Sequence, residues 1–271
     1  MQRRGMVFAA VAAAVAIVVA GCSSSGNSGD SSTSSGTAGG AGTSSAAVKG
    51  TITVLAAASL QEAFTTLGKQ FESAHPGTTV RLSFGASSDL AAQINQGAPA
   101  DVFASASPKN MQQVVSAGGA SSSTNFTKNV MEVAVPPSNP GHVTSVTDLA
   151  KSGVKVALCE PQVPCGAVAR QVFTNAKITV KPVTLEPDVK STLSKVELNE
   201  VDAGMVYVTD VRAAGSKVKG VVIPDDVNAS TEYPIAALSK APNSSGAQAF
   251  VSLVLSPAGQ SVLSADGFEQ P

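Results

Sequence analysis

Serine, cysteine and tyrosine residues at the ends of apolar runs are the groups in this chain whose types and spacing could do chemistry. In LAAASLQEAF, Ser59 stands where a strand-like run stops and a helical pattern starts, and in FGASSDLAAQ, Ser87 stands at the same kind of junction. Cys165 lies in CEPQVPCGAVARQVF, Val189 follows Pro187 and Asp188 in LEPDVKSTLSKV, and Tyr207 closes AGMVY ahead of Thr209 and Asp210. Each has an ordinary structural role open to it. Ser59 with Glu62 three residues on spells a capping box, and Ser87, Ser88 or Asp89 would cap the next helix. A lone strand-end tyrosine usually packs half-buried with its hydroxyl in water. What unites the five is position, because helix N-termini carry free N–H groups and partial positive charge. Several of them converging on one cleft would hold an anion without any Arg or Lys.

Other chemistry fits poorly. The chain has two histidines, His75 beside Pro76 and His142 after Gly141, which with Cys159 and Cys165 make a poor zinc set. Outside the cytoplasm, two cysteines six apart favour a local disulfide over two free thiols. SGVK (Ser152 to Lys155) and SKVK (Ser216 to Lys219) match Ser-x-x-Lys, but no SDN or KTG partner and no G-x-S-x-G elbow accompanies them. A serine hydrolase is therefore a remote alternative, and no enzyme, cofactor or direct metal-ion ligand is expected.

Alternating elements must position these residues. A strand at 51–55 precedes a helix carrying Leu60, Ala63, Phe64, Leu67 and Phe71 at helical spacing. A strand over 80–84, a short helix ending at Gly97, a strand at 101–104 and a helix from Pro108 follow. A second series begins at Val130: a strand, a short helix over 146–150, a strand at 154–159, helices at 164–175 and 187–197, and a strand at 203–208. The tail adds a strand at 233–239 and helices across 246–255 and 257–263. The pattern predicts an α/β fold of two lobes around a cleft, with parallel sheets and a C-terminal return to the first lobe. Open parallel sheets place ligands at the carboxyl ends of their strands, where the five residues fall.

The ends of the chain bear on location. Arg3 and Arg4 precede an uncharged apolar run over 6–20 that is short for a membrane span. VAGC, ending at Cys22, resembles a bacterial lipobox, which implies a signal peptide over 1–21 and acylation of Cys22. Residues 22–48 are almost wholly Ser, Gly, Thr and Ala and are expected to form a flexible tether reaching about 28 Å. Without the two signal arginines, 16 Lys and Arg face 19 Asp and Glu, so neither nucleic acid nor an anionic membrane surface is an expected partner.

TVLAAASLQEAF, FGASSDLAAQINQGAPADVFASA, VPCG, EPDVKSTLSKVELNEVDAGMVYVTDV and YPIAAL, in this order, resemble the substrate-binding protein family of bacterial molybdate ABC importers. The resemblance implies a type II periplasmic-binding-protein fold of two α/β lobes joined by a two-strand hinge, with lobe 1 over 49–128 plus 233–271 and lobe 2 over 129–232. It implies an extracytoplasmic, lipid-anchored monomer that captures molybdate or tungstate and delivers it to a membrane permease. The ligand donors it implies are the hydroxyl and N–H of Ser59 and Ser87, the N–H groups of Cys165 and Val189, and the hydroxyl of Tyr207. Two departures stand out: Ala86 replaces a serine of the usual triplet, and Cys165 replaces an alanine. A rival on the same fold would bind sulfate, phosphate, an organic acid or an iron-carrying anion. Clustered tyrosines would favour ferric iron and abundant cleft arginine a phosphonate or carboxylate, and neither is evident in the sequence.

Overall fold

The computed structural model describes residues 48–271. The expected signal peptide, Cys22 and the expected tether as far as residue 47 lie outside the described residues. Val48 is already engaged: its carbonyl accepts from the Thr78 hydroxyl at 3.1 Å, and its side chain packs on the first core.

Alternation of apolar runs builds the first half. Strand β1 (Gly50–Ala57) leads through a 3-10 turn (Ala58–Leu60) into helix α1 (Gln61–Ala74), which buries Ala63, Phe64, Leu67, Gly68 and Phe71 on one face. Strand β2 (Thr78–Gly85), helix α2 (Ser87–Asn95), strand β3 (Val102–Ala104) and helix α3 (Pro108–Ser116) follow, and β1 pairs parallel with both β2 and β3. Parallel pairing requires the covering helices, because both faces of such a sheet must be buried.

Strand β4 (Thr124–Val135) then leads to a 3-10 turn (Val146–Ala150), strand β5 (Val156–Cys159), helix α4 (Pro164–Asn175), strand β6 (Thr184–Glu186), helix α5 (Val189–Glu197), strand β7 (Ala203–Tyr207) and helix α6 (Val208–Ala214). Strand β8 (Lys219–Val221), strand β9 (Ser230–Ala237), helix α7 (Ser244–Leu255) and helix α8 (Pro257–Ala265) complete the chain. The strand order is β2-β1-β3-β9-β4-β7-β5-β6, with β8 paired to β4.

β4 belongs to both halves. Its residues from Thr124 to Val130 run antiparallel to β9, and those from Met131 onward pair with β7 and β8. The strand begins six residues before the apolar run at Val130, because the polar stretch TNFTKN gains its ladder bonds from β9 rather than from any hydrophobic signal. Residues 222–229 bring the chain back from β8 into β9, the second passage between the halves.

Two main cores lie on either side. Phe64, Phe71, Phe126, Tyr233, Phe250 and Phe268 anchor the first, to which β9, α7 and α8 return. Met131, Val156, Val172, Val196 and Met205 sit in the second, and Ala58 and Ala86 from the first half also pack into it. That contact brings the 3-10 turn before α1 and the start of α2 against the second half. Among the described residues, no helix is long and apolar enough to cross a membrane.

Candidate functional site

Ser59 does not cap α1. It sits inside the 3-10 turn, Leu60 takes the cap position without a side-chain bond, and the Ser59 hydroxyl instead hydrogen-bonds the Tyr233 hydroxyl at 2.8 Å. The other half of the expected capping box, Glu62, reaches across to Lys190. Tyr233 explains the change. Its ring is fully buried, and its buried phenolic hydroxyl needs an acceptor, which Ser59 Oγ supplies at 2.8 Å.

Ser87 is likewise not a cap. Ala86 precedes α2 without a side-chain bond, and Ser87 Oγ accepts the Ala106 N–H at 2.9 Å, tying the start of α2 to the segment after β3. The hydroxyl proton of Ser87 is left to donate elsewhere.

Pro164 opens α4 at a position where a missing N–H costs nothing, and Cys165 follows it. Cys165 is disulfide-bonded to Cys159 at the end of β5, with their Cα atoms 5.8 Å apart. Gly166 is required by close approach: a Cβ there would lie 2.1 Å from the carbonyl oxygen of Glu160. In α5, Asp188 is the cap and accepts the Ser191 N–H at 2.8 Å, which leaves Val189 as the first helical residue. N–H groups in a first turn have no intrahelical acceptor, so Cys165 and Val189 offer main-chain donors.

Tyr207 departs from the half-buried, hydrated tyrosine of the sequence reading. It is 1 % exposed, because β7 lies between β4 and β5 and its end is covered from both halves. Its hydroxyl has no hydrogen-bond partner among the described residues. A buried hydroxyl left alone costs about 1–3 kcal/mol.

The five residues meet. Ser59, Ser87, Cys165, Val189 and Tyr207 line one cavity between the two halves, and none is more than 3 % exposed. The cavity is small, without room for a sugar or a peptide. Among the described residues, no Lys, Arg or His is in its lining.

Lys190, next to Val189, is committed to carboxylates. Lys190 Nζ lies 2.9 Å from both Glu62 carboxylate oxygens and 3.2 Å from Asp210 Oδ1. Burial pushes the Asp210 carboxyl up to about 6, against the pull of Lys190 and of the Tyr207 N–H, which donates to Asp210 Oδ2 at 3.0 Å. Arg212 borders a second cavity, which Ser59, Glu62 and Asp266 also line.

Clustered tyrosines, not evident in the sequence, are present in the fold. Tyr207 and Tyr233 meet edge to face with ring centroids 6.3 Å apart, though their hydroxyls make no hydrogen bond to each other. Burial is the first cause that pushes both phenols up, so both keep their protons. Among the described residues, no group of three His, Cys, Asp or Glu could hold a metal ion beside them. Tyr233, Asn129, Lys190 and Asp210 were not singled out from the sequence. Tyr233 alone carried a signal, being the second of two tyrosines and lying in YPIAAL.

The fold and the cavity between its two α/β halves define a class, an extracellular solute-binding protein. A family model described as bacterial extracellular solute-binding protein matches residues 52–269, and the chain belongs to that family. The chain is 41 % identical over 221 residues to a molybdate-binding protein of Mycobacterium tuberculosis, covering 81 % of this chain and 85 % of the relative. It is 33 % identical over 233 residues to a molybdate-binding protein of Escherichia coli, covering 81 % and 89 %. The periplasmic molybdate-binding protein of Azotobacter vinelandii shares the fold with a TM-score of 0.71 at 23 % identity, covering 81 % of this chain and 99 % of that one. The chain is a binding protein and not an enzyme.

Proposed function

We propose that this protein captures molybdate, and tungstate with it, between two lobes and hands it to the membrane subunits of an ABC importer. The observation that carries the reading is the buried, unpartnered Tyr207 hydroxyl facing Ser59, Ser87, Cys165 and Val189 in one cavity whose lining has no cation. In this reading Ser59 and Ser87 donate through hydroxyl and main chain, Cys165 and Val189 through main-chain N–H, and Tyr207 through its hydroxyl. The first turns of α2, α4 and α5 add the partial positive charge of three helix N-termini. Such fixed neutral donors also set a cavity size. An oxyanion with long metal–oxygen bonds reaches every donor, whereas smaller sulfate leaves some unsatisfied, and unpaired buried donors are costly.

Lobe 1 comprises residues 49–128 and 233–271, and lobe 2 residues 129–232. Ser59 and Ser87 then come from one lobe and the other three donors from its partner, so only the closed form presents the full set. Ligand binding shifts the population toward closure, the state a permease would recognise. Acylation of Cys22 would hold the monomer at the outer face of the cell membrane, with the Ser/Gly segment as tether. Calorimetric titration of the purified protein with molybdate, tungstate and sulfate tests the reading. Tight binding of the first two, weak or no binding of sulfate and a large loss in Ser59→Ala are expected, and equal affinity for all three anions would refute it.

A further inference from the structure

We propose that Tyr233 is a positioning residue that fixes the direction of the Ser59 hydroxyl proton, making Ser59 a donor only toward the guest; the inference rests on the oxyanion-binding reading above. Tyr233 is 0 % exposed, and its hydroxyl has two neighbours in hydrogen-bond range, Ser59 Oγ at 2.8 Å and Asn129 Nδ2 at 3.5 Å. The Asn129 amide has a defined orientation. Its Oδ1 accepts the Val130 N–H at 3.0 Å, and its Nδ2 donates to Thr209 Oγ1 at 2.8 Å, so Nδ2 is the atom turned toward Tyr233. An amide nitrogen donates and cannot accept.

Among the described residues, Ser59 Oγ is therefore the one acceptor within hydrogen-bond distance of the Tyr233 hydroxyl, since the neighbouring Tyr207 hydroxyl makes no hydrogen bond. The opposite arrangement, Ser59 donating to Tyr233, would strand the phenolic proton in a fully buried place, at the cost of an unsatisfied donor. With Tyr233 donating, the Ser59 proton is released toward the cavity, and the chain Asn129 to Tyr233 to Ser59 points every proton the same way. Aligned donors of this kind polarise one another.

Ser87 is arranged alike. Its Oγ is taken from behind by the Ala106 N–H, so its proton is also free for the cavity. The two serines thus present protons and no lone pair to the guest. This favours an anion without protons of its own and disfavours one that must donate, such as hydrogen phosphate. Tyr233 does this without lining the cavity.

A double-mutant cycle tests the assignment. Molybdate titration of Tyr233→Phe should show about a tenfold loss of affinity with the melting temperature lowered by only about 2–4 °C, and Tyr233→Phe added to Ser59→Ala should cost less than about twofold more in affinity. A full Tyr233→Phe loss persisting in the Ser59→Ala background, or wild-type affinity in Tyr233→Phe alone, overturns it. Neutron diffraction from the deuterated wild-type protein decides the proton order without any variant: deuterium on the Tyr233 oxygen aimed at Ser59 Oγ is expected, and deuterium on Ser59 aimed at Tyr233 overturns it. Failure of the wild type to bind molybdate would instead strike the functional reading, and the neutron result would stand apart from it.

Discussion

Lys190 Nζ stands 2.9 Å from both carboxylate oxygens of Glu62, an ion pair between the first turn of α5 in one half of the molecule and the first turn of α1 in the other. Neither residue lines the central cavity, yet each is within three residues of one that does: Ser59 before Glu62, Val189 before Lys190. In the proposed opening and closing of the lobes, the pair would contribute to the closed form and add nothing to an open one. Glu62 is 42 % exposed at its side chain, and water and salt screen the attraction accordingly. Glu62→Gln should weaken molybdate binding about two- to fivefold at low ionic strength, with melting of the unliganded protein little changed. Titration at low salt and near 1 M salt checks it, since the difference between variant and wild type should vanish at the higher salt.

Asp210 gives the stability a pH dependence of defined sign. Its carboxyl is raised from 3.8 to about 6 in the folded chain, with burial as the leading cause. The folded state therefore holds the proton more tightly than the unfolded state between about pH 4 and 6. This contribution is fully present below about pH 4, is lost as pH rises through about 6, and is flat beyond. Asp210→Asn keeps an acceptor for the Tyr207 N–H but cannot ionise. Its stability relative to wild type should rise across that window by on the order of 3 kcal/mol. Urea unfolding at half-unit pH steps measures this, and parallel curves for the two proteins would refute the assignment.

Tyr207 makes opposite predictions for the empty and the loaded protein. Its buried hydroxyl has no partner among the described residues, so Tyr207→Phe removes an unsatisfied group and should leave the unliganded protein equally or slightly more stable. A hydrogen bond to a charged guest is worth about 1.5–3 kcal/mol, so the same change should lower molybdate affinity by about 10- to 100-fold. Melting curves with and without saturating molybdate read both signs in one experiment. Loss of stability in the unliganded variant would mean that the hydroxyl is structural.

The elements and the five junctions were largely legible because their signals are local. α4 was expected over 164–175 and spans those residues, since Pro164 marks its first turn and apolar residues recur at helical spacing. What stayed hidden depends on residues far apart in the chain. Ser59 and Glu62 have the spacing of a capping box, but their partners are Tyr233 and Lys190, 174 and 128 positions away. A long-range hydrogen bond to a buried phenol outweighs a cap that the solvent could replace. The first six residues of β4 escaped notice for the same reason, being strand by virtue of β9. The seven-residue helix α6 and the three-residue strands β6 and β8 were too short for any period to show.

The disulfide between Cys159 and Cys165 closes a loop that ends on a candidate donor, so its removal should separate stability from binding. Closing so short a loop is worth about 2 kcal/mol of unfolded-state entropy. The paired substitution Cys159→Ser with Cys165→Ser should therefore lower stability by about that amount while leaving a main-chain N–H at position 165. Gly166 holds the same loop by a different means, since a Cβ would fall 2.1 Å from the Glu160 carbonyl oxygen and force the backbone apart. Gly166→Ala should cost about 1–3 kcal/mol and, by displacing the first turn of α4, weaken molybdate binding more than the loss of the disulfide does. Denaturant unfolding and calorimetry on the two variants rank the effects. Tighter binding by Gly166→Ala than by the double serine variant would show that the close approach to Glu160 does not position this donor.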